Sequence, residues 1–305
     1  MEWDPTQFFR DDHTPNPFAL LILNQPINER AFRVLRKHAK VTLCADGGAN
    51  RFYSMMKAHD RESIDLPDII IGDLDSITPD TRSHYANLGV HIIEDEDQYS
   101  TDFTKCLNYL RAHVGKFLSP CTSSSESAVS KSEGEERKEG EEEEGGELDV
   151  LILGGLGGRV DQAFSQIHHL YSMTQSYSAS SSSSGGHSTS SQEGTGKIGN
   201  LYLISEESIT FILRPGRNTI QTPGTNRPGV SSAEYLLEEN VGIIPLLGPA
   251  RITTSGFQWD VVDWKTEIGG QLSTSNHIRS EVVTVESLMP VLFTLELAGR
   301  LKRDR

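Results

Sequence analysis

Pro67-Asp68-Ile69-Ile70-Ile71-Gly72-Asp73-Leu74-Asp75-Ser76-Ile77 decides the fold, because a short β-branched apolar run ends abruptly in two carboxylates one residue apart. Ile69 to Ile71, bounded by turn residues, read as a strand covered on both faces, as in a parallel sheet. Gly72 lets another group approach the backbone closely. On an extended chain, residues i and i+2 share a face, so Asp73 and Asp75 are expected to project together. Adjacent carboxylates repel, and at the carboxyl edge of a parallel sheet they suit a hard cation such as Mg²⁺. Taken alone, the pair also fits a turn cap and a solvated N-cap.

The same pattern recurs on either side. Phe18 to Leu23 is an apolar strand that ends in Asn24-Gln25-Pro26, with amide groups where a ligand can be met. Val41 to Ala45 is followed at once by Asp46-Gly47-Gly48-Ala49-Asn50, a strand-to-helix turn whose glycines leave backbone N–H groups free to face an anion. Val90 to Ile93 runs into an acidic loop and then Ser100-Thr101-Asp102-Phe103-Thr104-Lys105. From Phe103 the spacing of Cys106, Leu107, Leu110 and Val114 is helical. Asp102 suits the helix dipole in this first turn, and Ser100 or Thr101 suits the cap. A cation gains nothing there, which marks Lys105 as an anion partner. Asp149 to Leu153 leads into Gly154-Gly155-Leu156-Gly157-Gly158-Arg159-Val160-Asp161, a second glycine-rich turn. It is neither a dinucleotide fingerprint nor a P-loop. Arg159 is placed to clamp phosphate, and Asp161 to cap the helix or reach a metal.

Composition sets the bounds. The 305 residues allow two domains, and the net charge of −15 is concentrated: Ser119 to Glu147 holds ten Glu against Lys131, Arg137 and Lys138. That stretch contributes −7 and the rest of the chain −8, an acidic body unsuited to nonspecific nucleic-acid binding. Cys44, Cys106 and Cys121 form neither a disulfide framework nor a zinc spacing. No apolar run approaches membrane-spanning length, so a soluble cytoplasmic protein is expected. Two segments, about 119–147 and 176–196, are too polar to bury a core and read as inserts within one domain. After Leu201 to Ile204, expected to be the last strand of the first sheet, alternation and Pro-Gly punctuation suggest short antiparallel strands. The expected architecture is an α/β class chain: a mostly parallel, Rossmann-like α/β domain over 15–206, then a β-sandwich or jelly-roll-like domain over 207–305, with residues before 15 a polar lead.

Together, A-D-G-G-A-N at Ala45–Asn50, G-D-L-D-S-I at Gly72–Ile77, S-T-D-F-T-K-C-L at Ser100–Leu107 and L-G-G-L-G-G-R-V-D-Q at Leu153–Gln162 closely resemble the eukaryotic thiamine pyrophosphokinases. The likeness continues through Thr254-Ser255-Gly256-Phe257-Gln258-Trp259 and Leu272-Ser273-Thr274-Ser275-Asn276. It departs at Leu74, where the family often has Phe, and at the long inserts. The resemblance implies transfer of a diphosphate from ATP to the hydroxyl of thiamine, with Mg²⁺ held by Asp73, Asp75 and Asp102 and with Asp46 close by. It implies that Lys105 and Arg159 face phosphates and that Asn24, Gln25, Gly47, Gly48, Thr104, Gly157, Gly158 and Asp161 line the nucleotide. It also implies a homodimer in which thiamine lies between one subunit's acids and its partner's Trp259, Ser275 and Asn276. Alternatives are another Mg²⁺-dependent phosphoryl or nucleotidyl transferase, or a silent nucleotide- or thiamine-binding regulator.

Overall fold

In the computed structural model, residues 1–119, 146–180, 196–232 and 234–303 are described. The expected inserts therefore lie mostly outside the described residues. The elements are β1 (Glu2–Trp3), β2 (Phe18–Ile22), α1 (Glu29–Leu35), β3 (Val41–Ala45), α2 (Gly48–Lys57), β4 (Ile69–Gly72), α3 (Pro79–Asn87) and β5 (His91–Glu94). They continue through α4 (Asp102–Leu118), β6 (Glu147–Leu153), α5 (Val160–Ser180), β7 (Lys197–Ile204), β8 (Ser208–Leu213), β9 (Gly216–Gln221) and β10 (Leu237–Pro245). The last are β11 (Ala250–Ser255), β12 (Trp264–Thr266), β13 (Ser273–His277), β14 (Val282–Ser287) and β15 (Val291–Leu297).

A ten-stranded sheet runs in the order β13-β10-β15-β8-β7-β6-β2-β3-β4-β5. From β7 to β5 every neighbouring pair is parallel, and the inner strands β6, β2, β3 and β4 are buried along nearly their whole length. Alternation along β2 shows why: Phe18, Leu20 and Ile22 join a core with α1 to α3, whereas Ala19 and Leu21 join the core under α4 and α5. Strand order reverses between β2 and β6, so the turns after these two strands flank a switch point, the customary ligand crevice of such sheets. Leu23 N donates to Leu153 O at 2.8 Å and Gln25 N to Gly154 O at 2.9 Å, fixing the two turns together.

β7 is not the last strand of this sheet, contrary to the reading of its apolar run. It turns through Ser205–Glu207 into β8, which pairs with it antiparallel and passes the sheet on to β15, β10 and β13. A five-stranded sheet, β1-β9-β14-β11-β12, packs on this antiparallel end, and Ile220, Ile252, Val283 and Val285 bury against Phe211 and Phe293. The α/β part and the β-rich part therefore share hydrogen-bonded strands.

The polar lead is also corrected. Trp3, Phe8 and Phe9 are buried; Trp3 lies 4.8 Å from Phe211, and Phe8 lies 5.1 Å from Tyr202, ring centre to ring centre. Charged neighbours at positions 2, 4 and 10 to 12 mask these anchors in a compositional reading. Among the described residues, no helix is long and apolar enough to cross a membrane.

Candidate functional site

Four turns and one helix start converge at the carboxyl edge of the parallel strands. After β3, Asp46 adopts a left-handed φ of 37° and is buried. Its Oδ2 accepts from Ser76 N at 2.9 Å and its Oδ1 from Ile77 N at 3.0 Å, so it holds the turn that follows β4. Asn50, in the first turn of α2, grips the same segment: its Nδ2 donates to Ser76 O at 2.8 Å, and its Oδ1 accepts from Thr78 N at 3.0 Å. Thr101 caps α4 by accepting from Thr104 N at 3.3 Å, which sets Asp102 in the first helical turn.

The result is a group of carboxylates. One oxygen each from Asp46, Asp73 and Asp102 lies within 4.8 Å of the others. Gly72 permits this approach, since a Cβ there would stand 2.5 Å from Asp46 Cβ and 3.0 Å from Asp102 Oδ1. Burial pushes the Asp46 carboxyl above its ordinary range, opposed by the two amides it accepts from. Burial does the same to Asp102, and the Asp73 charge adds to it. Lys105 is buried beside them, its Nζ donating to Asp95 O at 2.8 Å and standing 3.4 Å from Asp102 Oδ1 and 4.0 Å from Asp73 Oδ2. Three hard oxygen donors against one ammonium leave an excess of negative charge that a hard divalent cation would balance.

Asp75 departs from the expected pairing. β4 ends at Gly72, and Leu74 then takes a left-handed φ of 62° while burying its side chain, so the chain is not extended across positions 73 to 75. Asp75 is exposed; its amide donates to Asp73 Oδ1 at 3.3 Å, and its own Oδ1 accepts from Ser76 Oγ. It is outside the three-acid group.

Other expected residues separate in the same way. Lys105 is engaged by acids and a carbonyl rather than standing open to a phosphate. Arg159 is exposed and forms a two-pronged pair with Asp161, at 3.1 and 2.5 Å. Thr104 Oγ1 pairs with Thr101 Oγ1 at 3.0 Å. Asn24, Gln25, Gly47 and Gly158 do come together: a Cβ on Gly47 would run into the Asn24 amide, and one on Gly158 would meet Gln25 Oε1 at 2.7 Å. Gly48 packs on the Ile22 carbonyl, whereas Gly157 has open space beside it.

Trp259, 53% exposed, edges a separate pocket of about 290 Å³ with Thr254, Trp264, Ser275 and Asn276 among its walls. None of the three clustered acids lines it. The Asn276 amide is committed to the backbone, with Oδ1 accepting from Trp259 N at 3.1 Å and Nδ2 donating to Trp259 O at 2.9 Å. Its side chain therefore shapes the Trp259 turn while remaining in the pocket wall.

Sequence reasoning missed Asn50, Arg51 and Gln98. Arg51 is exposed and donates from Nε to Asn24 Oδ1 at 3.2 Å, beside the glycine turn. Gln98 Nε2 reaches Asp73 Oδ2 at 3.5 Å. Asn50 and Arg51 stand within three residues of the glycine pair, the signal that could have found them.

The family model "Thiamin pyrophosphokinase, catalytic domain" matches residues 32–179, and "Thiamin pyrophosphokinase, vitamin B1 binding domain" matches residues 228–292. The chain is 30% identical over 293 residues to thiamine pyrophosphokinase 1 of Arabidopsis thaliana, covering 93% of this chain and 88% of that protein. It is 31% identical over 282 residues to the thiamine pyrophosphokinase of Saccharomyces cerevisiae, covering 85% of this chain and 78% of the relative. The solved thiamin pyrophosphokinase from Candida albicans matches with a TM-score of 0.70 at 27% identity, over 97% of this chain and 92% of that one.

Proposed function

From the premise that the chain belongs to the thiamin pyrophosphokinase family, we propose how its residues divide the work of an ATP-dependent diphosphotransferase. The enzyme makes thiamine diphosphate: the thiamine hydroxyl oxygen bonds to the β-phosphorus of ATP, the bond from that phosphorus to the α-phosphate oxygen breaks, and AMP leaves. Thiamine and ATP are its substrates.

The grouping of Asp46, Asp73 and Asp102 around Lys105 is the observation that carries the assignment of the site. Carboxylate oxygens suit Mg²⁺, which when bound supplies charge neutralisation for the diphosphate. Asp73 and Asp102 are its proposed holders, with Asp75 a further acid at the rim. Asp46, whose two oxygens already accept backbone amides, chiefly positions the turn that carries Asp73. Lys105 limits repulsion among the acids. Asp102, its carboxyl raised by burial, is the proposed acceptor of the hydroxyl proton. Asn24, Gln25, Gly47 and Gly158 crowd together at the switch point as the wall for the nucleotide's phosphates, with Gly48 behind them and Gly157 and Thr104 at the margins. Arg159 is proposed to exchange Asp161 for phosphate when ATP arrives. We further propose a cytoplasmic homodimer with an α/β catalytic unit over 15–206 and a thiamine-binding unit over 207–305, in which Trp259, Ser275 and Asn276 receive thiamine opposite the partner's acids.

The test is incubation of the purified protein with ATP, Mg²⁺ and thiamine, following AMP against ADP. Stoichiometric AMP and thiamine diphosphate are expected. ADP alone would assign a different phosphoryl transfer, and no product would leave a binding protein. Mg²⁺ alone should raise the melting temperature of the wild type more than that of Asp73→Asn; equal shifts would remove the cation from this site.

A further inference from the structure

Trp259 stands in the loop between β11 and β12 rather than in a strand, and its backbone is fixed. Asp260 gathers the loop, accepting from Gly256 N at 3.0 Å and from Phe257 N at 3.1 Å, while the Asn276 amide holds both the N–H and the carbonyl of Trp259. The indole is another matter: it is more than half exposed, so core packing does not choose its rotamer. A side chain left free to turn at a pocket rim must be immobilised when a ligand arrives, and that ordering weakens binding.

One side chain opposes that freedom. The His277 imidazole lies 5.1 Å from the indole, ring centre to ring centre, at a tilt of 48°, and among the described residues no other ring packs on Trp259. Trp259 lines its pocket and His277 does not, so the imidazole supports the indole from outside the binding space. Offset and tilted ring pairs of this kind are favourable and directional.

His277 is in turn pinned from several elements. Its Nδ1 stands 3.0 Å from Gln258 Oε1 on the loop that carries Trp259, 3.1 Å from Arg279 Nη2 and 3.5 Å from Glu239 Oε1 on β10. Arg279 ties these together: Nη1 donates to Glu239 Oε2 at 2.5 Å, Nη2 donates to Gln258 Oε1, and the backbone N–H donates to Gly256 O at 2.8 Å. Glu239 also offsets the guanidinium charge, which would otherwise stand uncompensated behind an aromatic face that receives a cation.

We propose that His277, held by Arg279 and Glu239, is a positioning residue for thiamine: it sets the indole of Trp259 in the orientation that stacks on the cationic ring. The inference rests on the assignment of thiamine to Trp259 made above.

His277→Ala tests it, since it removes the supporting ring without touching the pocket wall. KM for thiamine should rise on the order of tenfold, or 1.4 kcal/mol, with kcat and KM for ATP unchanged. Acrylamide quenching of tryptophan fluorescence, measured without ligand, should increase, the share belonging to Trp259 being the part lost in Trp259→Phe. His277→Phe keeps a ring against the indole and should return both readouts towards wild type. Glu239→Gln leaves the imidazole present but loosens its support; it should give a smaller change in the same direction and serves if the alanine variant melts early. Unchanged thiamine KM and quenching in His277→Ala and Glu239→Gln overturn the proposal, as does a His277→Phe variant no better than His277→Ala. If Trp259→Ala binds thiamine as wild type does, the assignment of thiamine to Trp259 falls, and the quenching still decides whether His277 holds the indole.

Discussion

Lys105 and Asp102 face each other across one turn of α4, ammonium nitrogen to carboxylate oxygen at 3.4 Å, with the lysine buried and the acid only partly so. The pair sits where the helix dipole disfavours a cation, so the acids around it must hold the lysine there. Lys105→Met should cost stability on the order of 3 kcal/mol, because it leaves like charges unbalanced. Added Mg²⁺ should recover part of that loss. Denaturant titration with and without Mg²⁺ checks this, and a metal-independent loss would show that Lys105 matters only through packing.

Gly72→Ala is expected to be more damaging than its single methyl suggests. The new Cβ would meet Asp46 Cβ at 2.5 Å, and neither the strand nor the buried acid has room to retreat. A cost of about 1 to 3 kcal/mol with near-complete loss of turnover is predicted. Full activity in a variant of normal stability would mean that the acid group tolerates expansion.

Asp149, at the opposite edge of the sheet, carries a pH dependence of its own. Burial pushes its carboxyl up to about 7 from an ordinary 3.8, against the pull of the Asn200 amide, which donates to Oδ1 at 2.6 Å. A raised acid favours the folded state in its protonated form, so the stabilisation is full below pH 4 and declines as pH rises towards 7. The slope is about 1.4 kcal/mol per pH unit in that window. Asp149→Asn keeps the acceptor oxygen and should flatten the profile, making the variant the more stable protein at pH 8. Parallel unfolding curves at pH 5 and 8 for the two proteins would show that the carboxyl does not titrate as assigned.

The two-chain arrangement is tested by mixing. Trp259→Ala should mainly weaken thiamine binding, because stacking a cation on an indole is worth about 0.5 to 2 kcal/mol, while Asp73→Asn should mainly suppress turnover. After subunit exchange, each mixed dimer would hold one site with both residues intact, and activity should exceed the mean of the parents. No gain despite proven exchange, or a monomer by light scattering, would return Trp259 to its own chain.

Much of this was legible in the sequence for a physical reason. Strands buried on both faces must be continuously apolar, so β2, β3, β4 and β6 announce themselves, and the acids and glycines stand out where those runs stop. What escaped depends on single backbone torsions and on long-range partners. The left-handed Leu74, a non-glycine in an unfavoured region, separates Asp75 from Asp73, and no periodicity foretells it. Trp3 and Phe8 are anchors whose partners, Phe211 and Tyr202, lie some two hundred residues away. The Asn276 amide fits ligand recognition by residue type, and only the structure reveals its commitment to the Trp259 backbone.

The pairing of β7 with β8 has a mechanical corollary. An enzyme whose halves hang on a flexible tether can shut like a jaw around its substrate, but this one is built along a single beam, and bending it at Ser205–Glu207 would tear the ladder on either side. Closing the site therefore falls to smaller parts, such as the loop bearing Gln98 and Tyr99. Stiffening that beam further should leave the catalytic cycle untouched, whereas stiffening the loop should slow it.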